Sequence, residues 1–336
     1  MNKKRMTKRK RKFILLLLFF TIIILSGSTY AWFTANRIVT IRTIDVHVEA
    51  SGGIEISADG TKWKTVLLPE DITSVHDSTY PTSVNQLPKN MIPVSTGKLI
   101  DTSTGFLMMY RGVTDSNDDG EYVLTSERSI ETESNGENSN GHFIAFDMFL
   151  KASNDSDLYM TKESKVDYLN EESKKGIAAA TRVAFVVEGN VPTSSDVSTI
   201  QALKSGTSDN TYIWEPNYDV HTISGVNNAN NVYGINTTQT GAARINYDGV
   251  ISEISRDNNV LVGNAKAANF PGLFRQVNVD YPTIKDFSNN VQIFSIRAGV
   301  TKIRVYMWIE GQDVDCENDA SYDDITFDLQ ITVNPN

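Results

Sequence analysis

The stretch Ile325-Thr326-Phe327-Asp328-Leu329-Gln330-Ile331-Thr332-Val333 decides the fold class, because apolar and polar residues alternate along it without a break. A period of two puts its five apolar side chains on one face, which is typical of a half-buried β-strand. Asp196 to Lys204 is the best helix candidate, since its apolar residues recur at helical spacing. We therefore expect an all-β protein: an antiparallel β-sandwich, jelly-roll-like, with long loops and one minor helix. The other strand-like segments are Ile38 to Glu49, His142 to Lys151, Arg182 to Val187, Val291 to Arg297 and Thr301 to Ile309.

The first strand-like segment is followed by a predicted hairpin. Ile44, Val46 and Val48 share one face of the strand, with polar residues between them. A second alternating piece, Ile54-Glu55-Ile56, runs into Asp59-Gly60, and Asp-Gly between two such runs is a strong hairpin signal. The chain is therefore expected to enter a sheet with its first strand.

Residues 32–336 are expected to form one domain, because this length is sufficient to bury most of the apolar surface. A stretch from about 216 to 290 is rich in Asn, Gly and Thr, and we interpret it as a loop-rich insertion. The chain has one cysteine, Cys316, so packing and strand pairing must stabilise the fold without disulfides. We expect this cysteine to be a small buried hydrophobe, with a thiolate nucleophile as the alternative.

Residues 1–31 have the pattern of an export signal. The first twelve hold eight basic side chains and no acidic one, and an apolar run of 13 residues follows from Phe13 to Leu25. Crossing a bilayer core takes about 20 residues, so the run suits a signal peptide better than a permanent span. Small residues in Thr29-Tyr30-Ala31 predict that a signal peptidase cuts between Ala31 and Trp32. The alternative is an uncleaved anchor that leaves the exported domain tethered to the membrane.

The formal net charge of −10 conceals two regions of opposite sign. Eight of the 31 basic residues lie in the leader, and all 41 acidic residues follow Ala31, so the rest of the chain has a net charge near −18. Such a surface repels nucleic acid and anionic lipid and keeps an exported protein soluble. Nucleic acid is therefore excluded as an expected partner.

The boundary Thr29-Tyr30-Ala31-Trp32-Phe33-Thr34 resembles the leader of the SipW-dependent group of exported Firmicutes proteins, to which TasA and camelysin belong. The shared pattern is Thr, an aromatic residue and Ala, and then a Phe one residue past the cut. In that group a strand and a short Ile/Leu-acid-Ile/Leu segment follow, as Ile54-Glu55-Ile56 does here. Val305 to Cys316 is similar to a segment that recurs in clostridial-type exported proteins with this leader. The middle of the chain departs from TasA, because it is longer and not rich in Lys.

This resemblance implies a jelly-roll-like extracellular subunit that polymerises when its N-terminal strand completes the sheet of the next subunit. Strand addition works because a sheet edge offers N–H and C=O groups that another extended segment can satisfy. The alternative is that the strand pairs within its own subunit. The candidate donor residues are Trp32, Phe33, Ile38, Ile41, Ile44, Val46 and Val48.

Two acidic segments are candidate calcium sites. Residues 115–120 match the first half of a calcium loop, but Ser126 stands where the loop needs a bidentate Glu. A second acidic cluster begins at Asp313. For both, a solvated acidic turn is the alternative, and no other cofactor is expected. The candidate ligands are Asp115, Asn117, Asp119, Asp313 and Asp315.

No sequence motif supports catalysis. The chain lacks HExxH, CxxC, GxSxG and a phosphate-binding glycine loop, so we expect a protein that is not an enzyme. Trp63, Trp214 and Trp308 are candidates for a sugar-stacking platform, with core packing as the alternative.

These patterns favour an exported cell-surface or biofilm-matrix structural protein that self-assembles by N-terminal strand addition. Its expected partners are a signal peptidase during export, further copies of itself and other matrix proteins. The alternative function is an extracellular module that binds a glycan or a host ligand.

Overall fold

The computed structural model of the chain describes residues 42–131, 135–168, 176–240, 245–281, 289–316 and 324–335. They form many strands and a few short helices. The strands are β1 (Arg42–Ser51), β2 (Glu55–Ser57), β3 (Val66–Leu67), β4 (Leu87–Met91), β5 (Ile100–Asp101), β6 (Phe106–Leu107), β7 (Met109–Ser116), β8 (Tyr122–Ser129), β9 (Asn135–Gly141), β10 (Phe143–Ala152), β11 (Ser156–Met160), β12 (Lys165–Tyr168), β13 (Thr181–Val191), β14 (Thr211–Trp214), β15 (Tyr247–Val250), β16 (Phe274–Val277), β17 (Val291–Ile296), β18 (Gly299–Ile309) and β19 (Asp324–Thr332). The helices are α1 (Pro69–Thr73), α2 (Ile177–Ala180), α3 (Val197–Gln201) and α4 (Ile223–Tyr233).

Two large sheets pack face to face. One has the order β17-β11-β19-β1-β3, with β12 also paired to β19, and the other has the order β14-β13-β18-β10-β2. Phe327 and Leu329 of the first sheet and Phe185 and Val305 of the second belong to one buried apolar cluster. This sandwich confirms the all-β class. Its jelly-roll connectivity stays a prediction.

The burial pattern of β19 follows the alternation of apolar and polar residues in its sequence. Ile325, Phe327, Leu329 and Ile331 are buried, whereas the residues between them from Thr326 to Gln330 are partly exposed. One face of the strand therefore points into the sandwich, as a period of two requires.

Strand pairing is antiparallel in most ladders between described strands. β18 pairs antiparallel with β10 on one side and β13 on the other. The exceptions are the β1–β19 and β4–β9 ladders, which are parallel. The antiparallel expectation is confirmed for most described strands, and β1 is an exception because it runs in the same direction as its neighbour β19, the last described strand.

A third layer covers the outer face of the five-stranded sheet. Side chains between Val94 and Met109 and between Tyr247 and Val279 pack on Tyr306 and Trp308 of β18 in a second buried cluster. Every residue of β18 is consequently buried, on both faces of the sheet. Part of this cover comes from the stretch of about 216–290 predicted as a loop-rich insertion, which contains α4 and the antiparallel pair β15–β16.

Four short α-helices occur within the described ranges, where the sequence predicted one. The predicted helix is α3, which is shorter than the pattern suggested. Helices α1 and α2 have five and four residues, too few to show a periodic pattern. The longest, α4, has the polar sequence ISGVNNANNVY, and its ends are set by the Thr222 cap and by Gly234 with φ of 66°.

Candidate functional site

Strand β1 is the described part of the segment predicted to mediate assembly by strand addition. It pairs in parallel with β19 from Arg42↔Asp324 to Ser51↔Thr332. On its other side, β3 pairs only with Val48 and Glu49. Within the described residues, the first half of β1 therefore has a ladder partner on one side only. A strand with one open side can accept or exchange a partner.

Two glycines connect β1 to β2. Gly52 and Gly53 have φ of 77° and 92°, a region that residues with a side chain rarely adopt. A Cβ on Gly52 would also lie 2.9 Å from Thr332 Oγ1. The turn thus depends on glycine for its backbone conformation and for its close approach to the end of β19.

The candidate donor residues fall on both sides of the first described residue. Val48 is fully buried, and Ile44 and Val46 lie in β1, with Ile44 at an irregularity of the ladder. The structure places these residues within their own subunit, which was the alternative to donation. The predicted cleavage site, Ala31 and Trp32, and the donor candidates Phe33, Ile38 and Ile41 lie outside the described residues.

A second feature, which the sequence analysis missed, is a set of charged side chains buried on the outer face of the five-stranded sheet. Arg182 and Arg304 are fully buried, and Lys302 is 5% exposed. Along β18, Lys302 and Arg304 alternate with apolar residues that point into the sandwich, so the pattern indicates a face open to solvent. Segments distant in sequence cover that face, since Phe106 lies against Arg304, and Tyr80 and the backbone near residues 201–203 surround Lys302 Nζ.

The first of two buried groups, the Lys302 cluster, consists of Lys302, Arg304, Asp147, Glu188 and Tyr80. Arg304 Nη1 donates to Asp147 Oδ1 at 2.8 Å, and the Tyr80 hydroxyl donates to Asp147 Oδ2 at 2.8 Å. Lys302 Nζ lies 3.3 Å from Asp147 Oδ2 and 3.0 Å from Glu188 Oε2. Each cation is therefore matched by a carboxylate, as burial of charge requires.

Burial affects the two acids of the Lys302 cluster differently. Burial and the negative charge of Asp147 raise the pKa of Glu188 to about 7. Burial alone would also raise the pKa of Asp147, but the charges of Lys302 and Arg304 outweigh it and lower this pKa. The cluster thus joins a carboxylate that stays ionised to a carboxyl that titrates near neutral pH.

The second group, the Arg182 cluster, contains more acids than cations. Arg182 Nη2 contacts Asp313 and lies 2.9 Å from Glu215 Oε1. Trp308 Nε1 donates to Glu310 Oε2 at 3.0 Å, and His221 Nδ1 is 2.7 Å from Asp315 Oδ2. The members are Arg182, Glu215, Glu310, Asp313, Asp315 and His221.

The excess of acid is reflected in the pKa values of the Arg182 cluster. Burial raises the pKa of Glu215 to about 7 against the opposing charge of Arg182, and burial also raises the pKa of Glu310 to about 7. Burial by itself lowers the pKa of His221, but its hydrogen bond to Asp315 outweighs this and the pKa is raised. The cluster therefore takes up protons as the pH falls toward neutrality and below.

Asp313 and Asp315 are calcium candidates whose alternative is a solvated acidic turn, and the structure shows that neither side chain is solvated. Asp313 is engaged by Arg182, and Asp315 accepts from the backbone N–H of Thr222 at 2.7 Å besides contacting His221. Both side chains are buried. Their oxygens serve an internal network that ties the end of β18 to the start of α4.

The other calcium candidates lie in the β7–β8 hairpin, as the turn pattern predicted. Asn117 Oδ1 accepts from the backbone N–H groups of Asp119 and Glu121, and Asp115 Oδ1 accepts from its neighbour Ser116. These oxygens stabilise the turn itself. Among the described residues, no three His, Cys, Asp or Glu side chains are grouped to hold a metal ion. Calcium binding stays a prediction.

Trp214 and Trp308 are too deeply buried to form a sugar-binding platform. Trp214 and Trp308 are 1% and 0% exposed, and Trp63 packs partly buried beneath Lys151 Nζ, which lies 4.6 Å from its ring centroid. Core packing is therefore the correct interpretation of Trp214 and Trp308. Cys316 is also buried, as expected for a small hydrophobe.

No protein-family model, curated protein or solved structure matches this chain. In the part of the chain that the structure describes, no helix combines the length and apolar character that crossing a membrane demands. Function is therefore inferred from the sites themselves.

Proposed function

We propose that this chain is an exported structural protein of the cell surface or biofilm matrix, in which β1 of one subunit completes the six-stranded sheet of the next. The proposal includes membership of the SipW-dependent group and secretion after cleavage behind Ala31. If the leader is retained, the domain stays tethered to the membrane. The observation that carries the proposal is the position of β1, the first described strand, in a long parallel ladder with β19.

Exchange of β1 between subunits preserves the hydrogen bonds that hold it. The same donors and acceptors of β19 and β3 can bind β1 of a neighbouring copy, and the buried Val48 can fill the same place in the core. The free-energy difference between the closed and exchanged forms is then confined to the connection at Gly52 and Gly53 and to the association entropy. High local concentration outside the cell favours the exchanged form.

The chain preceding β1 supports this direction of exchange. Residues 32–41 separate the predicted cleavage site from β1. Once a signal peptidase has cut, β1 lies near a terminus and can leave its sheet without threading through the fold. An uncleaved leader would hold the same strand at the membrane, so cleavage would act as the trigger for assembly.

A disulfide that locks β1 in its own subunit tests the proposal. Glu49 and Gln330 are partners across the β1–β19 ladder and both are half-buried. In a Cys316→Ser background, Glu49→Cys with Gln330→Cys places two cysteines at a separation that suits a disulfide. We expect the leader-free protein to form filaments in electron micrographs when reduced and to stay monomeric when oxidised.

A matched control uses a disulfide elsewhere in the same sheet. Asp157 and Ser295 are partners across the β11–β17 ladder, so Asp157→Cys with Ser295→Cys adds a cross-link without restraining β1. This variant should form filaments in both redox states. Filaments from oxidised protein locked at β1, or monodisperse monomers from leader-free wild-type protein at high concentration, would refute assembly by strand exchange.

A further inference from the structure

Lys302 lies between two carboxyl groups of neighbouring strands at the centre of the five-stranded sheet. Its Nζ is 3.3 Å from Asp147 Oδ2 on β10 and 3.0 Å from Glu188 Oε2 on β13. The three side chains are 6%, 3% and 1% exposed. The site therefore brings together the Lys302 amine, the Asp147 carboxyl that it can attack and the Glu188 carboxyl that can carry a proton. Water is largely excluded from all three.

We propose that Lys302 and Asp147 form an intramolecular isopeptide bond, with Glu188 as the residue that transfers the second amine proton to the departing hydroxyl. The new bond joins Lys302 Nζ to Asp147 Cγ, one C–O bond of the carboxyl group breaks, and one water molecule leaves. The oxidation state of every atom is unchanged, and no co-reactant is consumed. The proposal is independent of the mode of assembly.

The reaction begins from the ion pair. Transfer of one proton from the Lys302 ammonium to the Asp147 carboxylate gives a neutral amine and a neutral acid, which leaves the total charge of the buried group unchanged. This step opposes the lowered pKa of Asp147, so we expect bond formation to be slow. The low dielectric of the site favours the neutral pair over the same pair in water.

Attack of the amine on Cγ produces a tetrahedral oxyanion at Oδ1. Arg304 Nη1 is 2.8 Å from this oxygen and stays charged, so it is placed to stabilise the oxyanion. Glu188 accepts the second amine proton and delivers it to the departing Oδ2 hydroxyl, which leaves as water. A carboxyl with a pKa of about 7 can act as base and then as acid.

The surroundings hold the amine in place for this attack. The backbone oxygens of Gln201 and Leu203 accept from Lys302 Nζ at 3.1 and 3.0 Å, and the Tyr80 hydroxyl fixes Oδ2 of Asp147. Lys302 Nζ is held 3.3 Å from Oδ2 of the carboxyl group that it attacks, and such enforced proximity accelerates a reaction. The product would staple β10 to β18 in a chain that has a single cysteine.

Peptide mass spectrometry of the full chain tests the proposal. We expect one pair of proteolytic peptides, containing Asp147 and Lys302, to be joined with the loss of one water. Lys302→Arg retains the positive charge but should yield only separate peptides, and Glu188→Gln should retain the fold with at least a tenfold lower yield of the joined pair. Separate peptides with unmodified Asp147 and Lys302 as the main wild-type product would overturn the proposal.

Lys151 on the same sheet provides the matched control. It contacts Glu55 across the β10–β2 ladder, but these side chains are 30% and 47% exposed. No joined peptide is expected from this pair, and Lys151→Arg should leave the Lys302–Asp147 product unchanged. If Glu188→Gln gave the joined peptides at the wild-type yield, Glu188 would have no role in the reaction. If Lys302→Arg does not fold by circular dichroism, the wild-type peptides alone decide.

Discussion

The two faces of the five-stranded sheet are equally buried but chemically different. On β18, Ile303, Val305 and Met307 point into the sandwich, whereas Lys302 and Arg304 lie on the opposite face of the strand and are buried there. The inner face is held by apolar contacts that grow with buried area. The outer face combines apolar contacts around Tyr306 and Trp308 with paired charges, and each charge there depends on the presence of its partner.

This difference affects how the two faces tolerate change. Removal of a methyl group from the inner face destabilises the protein by the transfer free energy of that group and by a further contribution from the small cavity that remains. Removal of a charge from the outer face leaves an opposite charge buried without compensation, which costs several kcal/mol. The loss of one buried charge is therefore expected to destabilise the protein more than the loss of one buried methyl group.

Arg182→Met should have the largest effect on stability. The substitution leaves Asp313 and Glu215 without their shared cation inside the protein. We expect the free energy of unfolding to fall by about 3 to 5 kcal/mol at pH 8, measured by urea denaturation. The loss should be smaller at pH 5, because Glu215 can then be protonated.

Arg182→Lys is the control for that variant. It retains the positive charge but loses the hydrogen bonds from Nη1 to the backbone oxygens of Ala179 and Thr181. It should lose less stability than Arg182→Met at pH 8. An Arg182→Met variant as stable as wild type at pH 8 would show that the acids of the cluster need no cation.

Glu215→Gln should change how stability depends on pH. Burial raises the pKa of Glu215 from its ordinary 4.5 to about 7 in the folded state, so the folded protein binds more protons than the unfolded chain between these values. Stability must therefore fall as the pH rises through this window, by at most about 3 kcal/mol from this group. In Glu215→Gln, the loss of stability between pH 5 and pH 8 should be smaller by about 1 to 3 kcal/mol.

Urea denaturation at both pH values measures the change. Glu127→Gln is the control, because Glu127 is an exposed acid whose side chain is 63% accessible in its pair with Arg111. That variant should keep the wild-type pH dependence. If Glu215→Gln loses as much stability between pH 5 and pH 8 as the wild type does, Glu215 is ionised throughout this range in the native protein.

Ile303→Val tests the apolar face one residue from Lys302. Ile303 is fully buried in the core of the sandwich. The variant removes one methyl group, so we expect a loss of about 1 kcal/mol, the same at pH 5 and pH 8. A pH-dependent loss would mean that the two faces of β18 are coupled through the strand.

The inner face could be predicted from the sequence, and the outer face could not. The alternation in β19 and the compact apolar runs of β10 and β13 specify strands locally, because a period of two is a property of neighbouring residues. The burial of Arg182 depends on Tyr247, and that of Lys302 depends on Tyr80 and the backbone near residues 201–203, all of which are distant from them in sequence. The parallel pairing of β1 with β19 could not be predicted either, because it joins residues far apart in sequence and neither strand carries a local signal for its direction.

Lys151→Met should have the smallest effect, although the residue lies on the same strand as Asp147. Its side chain is 30% exposed, it contacts Glu55 and its Nζ lies 4.6 Å from the ring centroid of Trp63. Solvent screens this pair, and the Met side chain can still pack against the tryptophan. We expect a loss of about 0.5 kcal/mol in urea denaturation, whereas a loss comparable with that of Arg182→Met would show that burial does not separate these charges.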